Sequence, residues 1–266
     1  MTGFRKNCRV VRELIRLRFQ NLMMFRLGFF GPFFVDGSMF AIQLLVFRAV
    51  YSNIDRIGSW GEGEVILYIG TFSLLDAVSM VICFFGVIDI APKILSGEMD
   101  LYLTKPVSPL LRLTFEKVNP GSVPLVAMSV LIIIYGAWKA RIELTAGKIA
   151  AYLFWFAVME FLYYCMEVLM RCIAFFTVST AKMERLEEAG LELCMKLPGI
   201  ALYGVWKLIF YCFLPYGIMA TLPVQSMVGE MSWKLGLFGI AVVGFFGVLT
   251  CFAWKKGVRR YNSASS

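Results

Sequence analysis

Two sets of polar residues in this 266-residue chain are placed where recognition or chemistry would need them. The first is the stretch SGEMDLYLTKPVSPLLRL, residues 96–113, which separates two long apolar runs. Gly97 opens the pattern, Glu98, Asp100 and Lys105 carry charge, and Leu101, Tyr102 and Leu103 form an apolar centre. Pro106 and Pro109 lack N–H donors and fix the backbone, so they stop the preceding helix and orient the next span. An apolar trio of this kind is wasted in water but fills a groove on another protein, with the flanking charges setting the register. The predicted chemistry is docking. The second set comprises ionisable residues inside apolar runs. Asp76 and Glu160 count to mid-depth, Asp36 lies close to that level, and Glu167 has Arg171 one helical turn later. On insertion scales each such charge costs about 2.5–3.5 kcal/mol at the centre of a membrane helix. Asp76 and Glu160 therefore either hydrogen-bond between helices or face a polar path for a substrate. Glu167 and Arg171 read as a structural i,i+4 pair.

Residues for bond-making chemistry are scarce. The chain has no histidine, which removes the commonest general base, His-activated nucleophiles and His-containing zinc sites. Its one Gly-Lys pair, Gly147-Lys148, is followed by Ile149 where a phosphate-binding loop places Ser or Thr. No cofactor or metal is expected in this chain. The seven cysteines, Cys8, Cys83, Cys165, Cys172, Cys194, Cys212 and Cys251, show no paired spacing and read as small packing residues.

The elements that hold these groups are membrane helices. Hydrophobic residues make up 59% of the chain and charged residues 17%, with a mean hydropathy of +0.74; soluble domains average about half apolar and about a quarter charged. A bilayer core takes about 20 apolar residues to cross as a helix, and six runs qualify: 27–50, 65–90, 121–137, 149–170, 200–221 and 234–254. This predicts an all-α polytopic membrane protein with about six transmembrane helices over residues 27–254. Residues 1–26 form a basic amphipathic interfacial helix, with Phe4, Cys8, Val11 and Ile15 on one stripe and Arg5, Arg9, Arg12 and Arg16 on another. Residues 255–266 are a polar tail. Span 3 starts among Pro120 and Pro124 and is expected to have a broken entry. Span 4 is long enough to project from the bilayer, and residues 181–196 fit a short cytoplasmic helix. A re-entrant hairpin is expected between Pro215 and Pro223, before the last span. The tryptophans, Trp155 and Trp254 among them, fit interfacial belts.

With both termini in the cytoplasm, eighteen Lys and Arg residues fall on the inner side and five on the outer side, which sets that orientation. The net charge of +8 then reflects topology and attraction to anionic lipid, with no role in nucleic-acid binding.

The segment GEMDLYLTKPVSPL resembles the G-x-(L/M)-D-x-x-L-x-(K/R)-P-(V/I)-x-P-L stretch of ABC-2-type transporter permeases, the bacterial branch with about six spans. IGSWGEGEVILYIG before span 2, LPYGIMATLP and the ending WKKGVRRYNSASS agree with it. The resemblance implies the membrane subunit of an ATP-binding cassette exporter in a bacterial cytoplasmic membrane. It implies two partners, a cytoplasmic ATPase dimer that binds ATP and Mg, and a second permease, identical or related. It also implies that Gly97, Glu98, Asp100, Leu103, Lys105, Pro106 and Pro109 belong to a coupling helix that docks on the ATPase. The competing reading is a secondary transporter using Asp76 and Glu160 as proton or ion sites. A third is a non-transporting membrane receptor or immunity protein.

Overall fold

A computed structural model describes residues 10–17, 20, 34, 37, 38, 42, 45, 56–177 and 179–261. Most of the predicted first span, Asp36, Arg48 and Cys8 lie outside the described residues, as does most of the predicted interfacial helix. Residues 10–17 are helical, with Arg12 and Arg16 more exposed than Val11 and Ile15.

Four helices among the described residues are long and apolar enough to cross a membrane. Helix α1, Glu62–Ile82, begins with Glu62 and Glu64 in its first turn, where carboxylates favour the positive end of the helix dipole. The Gly61 N–H donates to Glu64 Oε2 at 3.0 Å and satisfies one of the free amides there. Its most apolar stretch is 67% inside the protein, which makes α1 the central helix. Three short helices follow, α2 (Phe84–Ile88), α3 (Ile90–Ser96) and α4 (Asp100–Leu103), then α5 (Pro109–Glu116). The predicted second span thus ends at Ile82 and not near residue 90. A 3-10 turn, Pro120–Ser122, runs straight into α6, Val123–Lys139. The entry to this span is therefore not broken, because Pro120 and Pro124 occupy first-turn positions whose amides have no helical acceptor.

Helix α7, Ala146–Cys172, starts at Thr145, whose side chain accepts from the Lys148 N–H at 3.3 Å, and continues as a 3-10 turn to Phe175. Helix α8, Ala181–Lys196, is followed by α9 (Gly204–Leu208) and its π-helical extension Ile209–Phe213. Then come α10 (Tyr216–Met219), α11 (Thr221–Val228) and the last long helix, α12 (Trp233–Arg260). The span expected over 200–221 is divided: Gly204–Phe213 meets Tyr216–Val228 at 82° across Leu214 and Pro215. Pro215 brings no amide donor and steers Leu214 away from helical geometry. By length and composition this bent pair is either a broken span or a re-entrant segment.

Helix α6 runs antiparallel to α1 in close contact. A Cβ at Gly136 would stand 2.5 Å from the Leu67 amide nitrogen, so only glycine lets the two backbones approach this closely. Lys139 pairs with Glu62 at one end, and the Asn119 N–H donates to Val81 O (3.0 Å) at the other. On the other side α7 lies against α11 and α12, with Thr250 donating to Cys165 O at 3.0 Å. The main core includes Trp60, Tyr68, Phe72, Trp155, Met159 and Tyr216. Trp155 is thus a core residue and not part of an interfacial belt, whereas Trp138 and Trp233 are exposed near span ends.

Candidate functional site

The stretch 96–113 sits at one end of the bundle on a core of its own. Helix α3 stops at Gly97, which adopts φ +82°, a left-handed conformation that side chains disfavour. The Met99 N–H then reaches back to Lys93 O (3.1 Å), and Met99 becomes fully buried. The chain doubles back here. Tyr102 follows Met99 inward, and its ring is held between two cations: Lys93 Nζ is 4.8 Å and Arg112 Cζ 4.7 Å from the centroid. Lys93 also donates to the Tyr102 hydroxyl at 2.7 Å. Asp89 pairs with Lys93 (3.7 Å) and Lys117, and Arg112 with Glu116 (3.8 Å). Burial alone would lower the Lys93 ammonium, but its bond to Tyr102 and the nearby Glu116 and Asp89 raise it above the ordinary lysine value. Burial pushes the Tyr102 phenol up, and Glu116 adds to the effect.

The apolar trio is therefore split. Tyr102 belongs to the chain's own core, and Leu103 packs against that core. Leu101 is 63% exposed and Leu95 44% exposed. Glu98, Thr104, Lys105 and Pro106 are exposed beside them. Asp100 is half-buried and lies next to Tyr261, whose phenol is raised by burial and by the Asp100 carboxylate. Tyr261 and Trp254 of the α12 end pack edge-on against Phe175 at 6.3 and 5.7 Å. The stretch is thus seated on the ends of α7 and α12. Pro109 opens the separate eight-residue helix α5 and does not begin the next span. Asp89, Lys93, Arg112 and Glu116 were missed by the docking pattern. Their i,i+4 spacing was the available signal.

Asp76 and Glu160 are brought to the same interface, between α1 and α7. Tyr163, one turn from Glu160, donates to Asp76 Oδ1 at 3.2 Å. Glu160 Oε2 is sealed from solvent with no hydrogen-bond partner. Further along α7, Arg171 joins Glu167 (3.3 Å) to Glu187 of α8 (2.5 Å), and all three are buried. The expected pair is thus a triad that pins α8 against α7.

Helix α8 has its predicted length but not its predicted place. From Arg171, near the end of the bundle that holds 96–113, it runs past Gly190, which abuts Tyr216, to Cys194, whose carbonyl accepts from Tyr68 (2.5 Å). Leu193 and Leu197 then line a cavity of about 670 Å³ with Arg56, Ile57 and Trp206, beside the start of α1. Residues 197–202 therefore lie at the opposite end of the bundle, and α8 rises alongside the spans. Lys196 moves with it, leaving seventeen basic residues against six in the orientation count.

No group of His, Cys, Asp and Glu among the described residues is arranged to hold a metal ion. Searches of the curated proteins and of the solved structures find no match to the chain. A family model described as ABC-2 family transporter protein matches residues 38–265, a range that contains residues 96–113, Asp76, Glu160 and every long helix described above. The chain is a multi-pass membrane protein that belongs to the ABC-2 transporter family.

Proposed function

We propose that this chain is one of two permease halves of an ATP-driven exporter in a bacterial cytoplasmic membrane, coupled to a separate pair of cytoplasmic ATPases. Both termini and the 96–113 stretch face the cytoplasm, as the basic residues require. The observation that carries the reading is a division of labour within that stretch. Met99 and Tyr102 are buried and fix its shape, while Leu95, Glu98, Leu101 and Lys105 are presented outward on that rigid base. A stiff knob with an apolar tip and flanking charges suits docking into a partner's groove. Gly97, Pro106 and Pro109 shape it, and Asp100 and Leu103 hold it to the bundle. Closure of the ATPases would push the knob against the ends of α7 and α12, through Phe175 and Tyr261, and switch the path between the permease halves. Asp76 and Glu160 are the candidate residues on that path.

Co-purification with candidate ATPases in mild detergent tests this. The wild-type chain is expected to emerge in a complex with vanadate-sensitive ATP hydrolysis. Glu98→Ala combined with Leu101→Asp and Lys105→Ala should lose the ATPase while the chain still elutes as a single folded species. An unchanged complex from that triple variant would remove the stretch from the coupling role. A second reading, ion-coupled transport through Asp76 and Glu160, draws on the sealed and partnerless Oε2 of Glu160. Uptake into vesicles driven by a proton gradient with no ATPase present would establish it in place of the first.

A further inference from the structure

The end of the bundle opposite the 96–113 stretch is poor in basic residues, yet three of its six, Lys139, Arg141 and Lys148, fall within ten residues of sequence. Lys139 pairs with Glu62. Arg141 and Lys148 make no ion pair among the described residues, and both stand where the local backbone disfavours them. Arg141 follows the end of α6 at φ +52°, the one positive φ outside glycine among the described residues. Glycine ordinarily takes that place. The Arg141 N–H donates to Trp138 O and the Ile142 N–H to Ala137 O, both at 3.1 Å, so a complete cap is built around an arginine. Lys148 occupies the first turn of α7, where the positive end of the helix dipole works against a cation. Strained or locally unfavourable residues of this kind persist where a function holds them.

Beside them lies a cavity of about 570 Å³, walled by Ile133, Ile134 and Ala137 of α6 with Leu144 and Met227, and reached by Trp138 and Arg141. Sites for small apolar ligands span about 300–1,000 Å³. The cavity adjoins the lipid-facing side of α6, where Leu131, Ile134, Tyr135 and Trp138 are exposed at i, i+3, i+4 and i+7. Tyr135 and Trp138 stack at 6.1 Å, an aromatic pair at the level of the lipid headgroups. Lys148 reaches the same place from α7: its Cε lies 3.8 Å from where a Cβ of Gly229 would stand, two residues beyond Met227. Of the carboxylates near this end, Glu230 accepts from Ser59 and Trp60, and Glu62 is held by Lys139. Glu143 alone stands against the two cations, so the rim is positive. Apolar walls with a positive rim at headgroup level match an amphiphile whose tail fills the cavity and whose phosphate meets Arg141 and Lys148. A protein segment would instead bring its own backbone polar groups into an apolar, lipid-facing space.

We propose that this cavity holds an acyl chain of a phospholipid with an anionic headgroup, in the leaflet opposite the 96–113 stretch, with Arg141 and Lys148 binding its phosphate. Thermal melts of the whole chain, purified in mild detergent and stripped of lipid, test the site. Four additions are compared: phosphatidylglycerol, phosphatidylcholine, diacylglycerol and inorganic phosphate. Phosphatidylglycerol at about 100 times its dissociation constant should raise the unfolding temperature by about 5–10 °C, and the other three by much less. Arg141→Gly suits the left-handed backbone better than arginine does, so this variant should melt no lower than wild type in detergent alone. It should nevertheless need about tenfold more phosphatidylglycerol for the same shift. A merely structural arginine would give neither result. Lys148→Gln should weaken the response in the same direction, and it serves in place of Arg141→Gly if that variant does not elute as a folded species. An equal response to phosphatidylglycerol and phosphatidylcholine, or unchanged affinity in both variants, overturns the site. A full shift with inorganic phosphate would replace the lipid by a free anion. A dimer that excludes lipid and is lost in Arg141→Gly would put a second copy of the chain in the groove instead. No ATPase enters these melts, so their outcome is separate from that of the permease reading.

Discussion

Tyr102 and Leu101 are neighbours in sequence with opposite duties. Tyr102 is 6% exposed and clasped by Lys93 and Arg112, whereas Leu101 projects outward. Truncating a buried aromatic removes its contacts and leaves a cavity, a loss of about 3–5 kcal/mol. Tyr102→Ala should therefore lower the detergent-phase unfolding temperature clearly, and Leu101→Ala should leave it within the roughly 0.5 kcal/mol of a neutral surface change. Equal shifts for the two variants, read by the same thermal melt, would show that the split between base and tip is wrong. Both titrating groups at this point favour their protonated forms when folded, so their contribution holds below about pH 10 and fades only in stronger alkali.

At the scale of elements, α8 illustrates how one ion cluster decides where a helix goes. Arg171 is the single cation between two buried carboxylates, and its removal would leave Glu167 and Glu187 facing each other without compensation. Breaking a buried pair in this way costs about 3–5 kcal/mol. Arg171→Met is thus expected to release α8 from α7, seen as new protease cleavage between residues 177 and 196 in folded wild-type-like detergent extracts. Arg171→Met with Glu167→Gln and Glu187→Gln should recover much of the protection, because no unpaired charge remains. Protection that is equally poor in the triple variant would mean that the guanidinium acts by shape and not by charge.

The whole molecule has two ends with different polar equipment. One end holds the 96–113 stretch, Phe175 and the basic end of α12; the other holds Glu230 with Ser59 and Trp60, and Lys139 with Glu62. The basic residues predict that the first end is cytoplasmic. With Cys8, Cys212 and Cys251 changed to Ser, Glu143→Cys should react with an impermeant maleimide on intact cells. Glu98→Cys should react only after the membrane is opened. The reverse pattern would invert the topology and with it the side from which an ATPase could approach.

The long apolar runs, the absence of histidine and phosphate-binding loops, and the Gly97–Pro109 pattern were legible from residue order alone. Local physics dictates them: about 20 apolar residues must cross as a helix, and glycine and proline restrict only their own part of the backbone. The 30-residue stretch Ala146–Phe175 is as long as the sequence predicted. The tertiary structure alone decided which side of each pattern faces inward. Tyr102 is buried because Lys93 and Arg112 come from separate helices to hold it, and a charge census cannot foresee that meeting. The apolar run 200–221 is bent by 82° at Leu214 and Pro215, and the charged helix α8 lies alongside α7. Hydropathy counts charges one residue at a time, whereas burial depends on whether a partner such as Arg171 stands across from them.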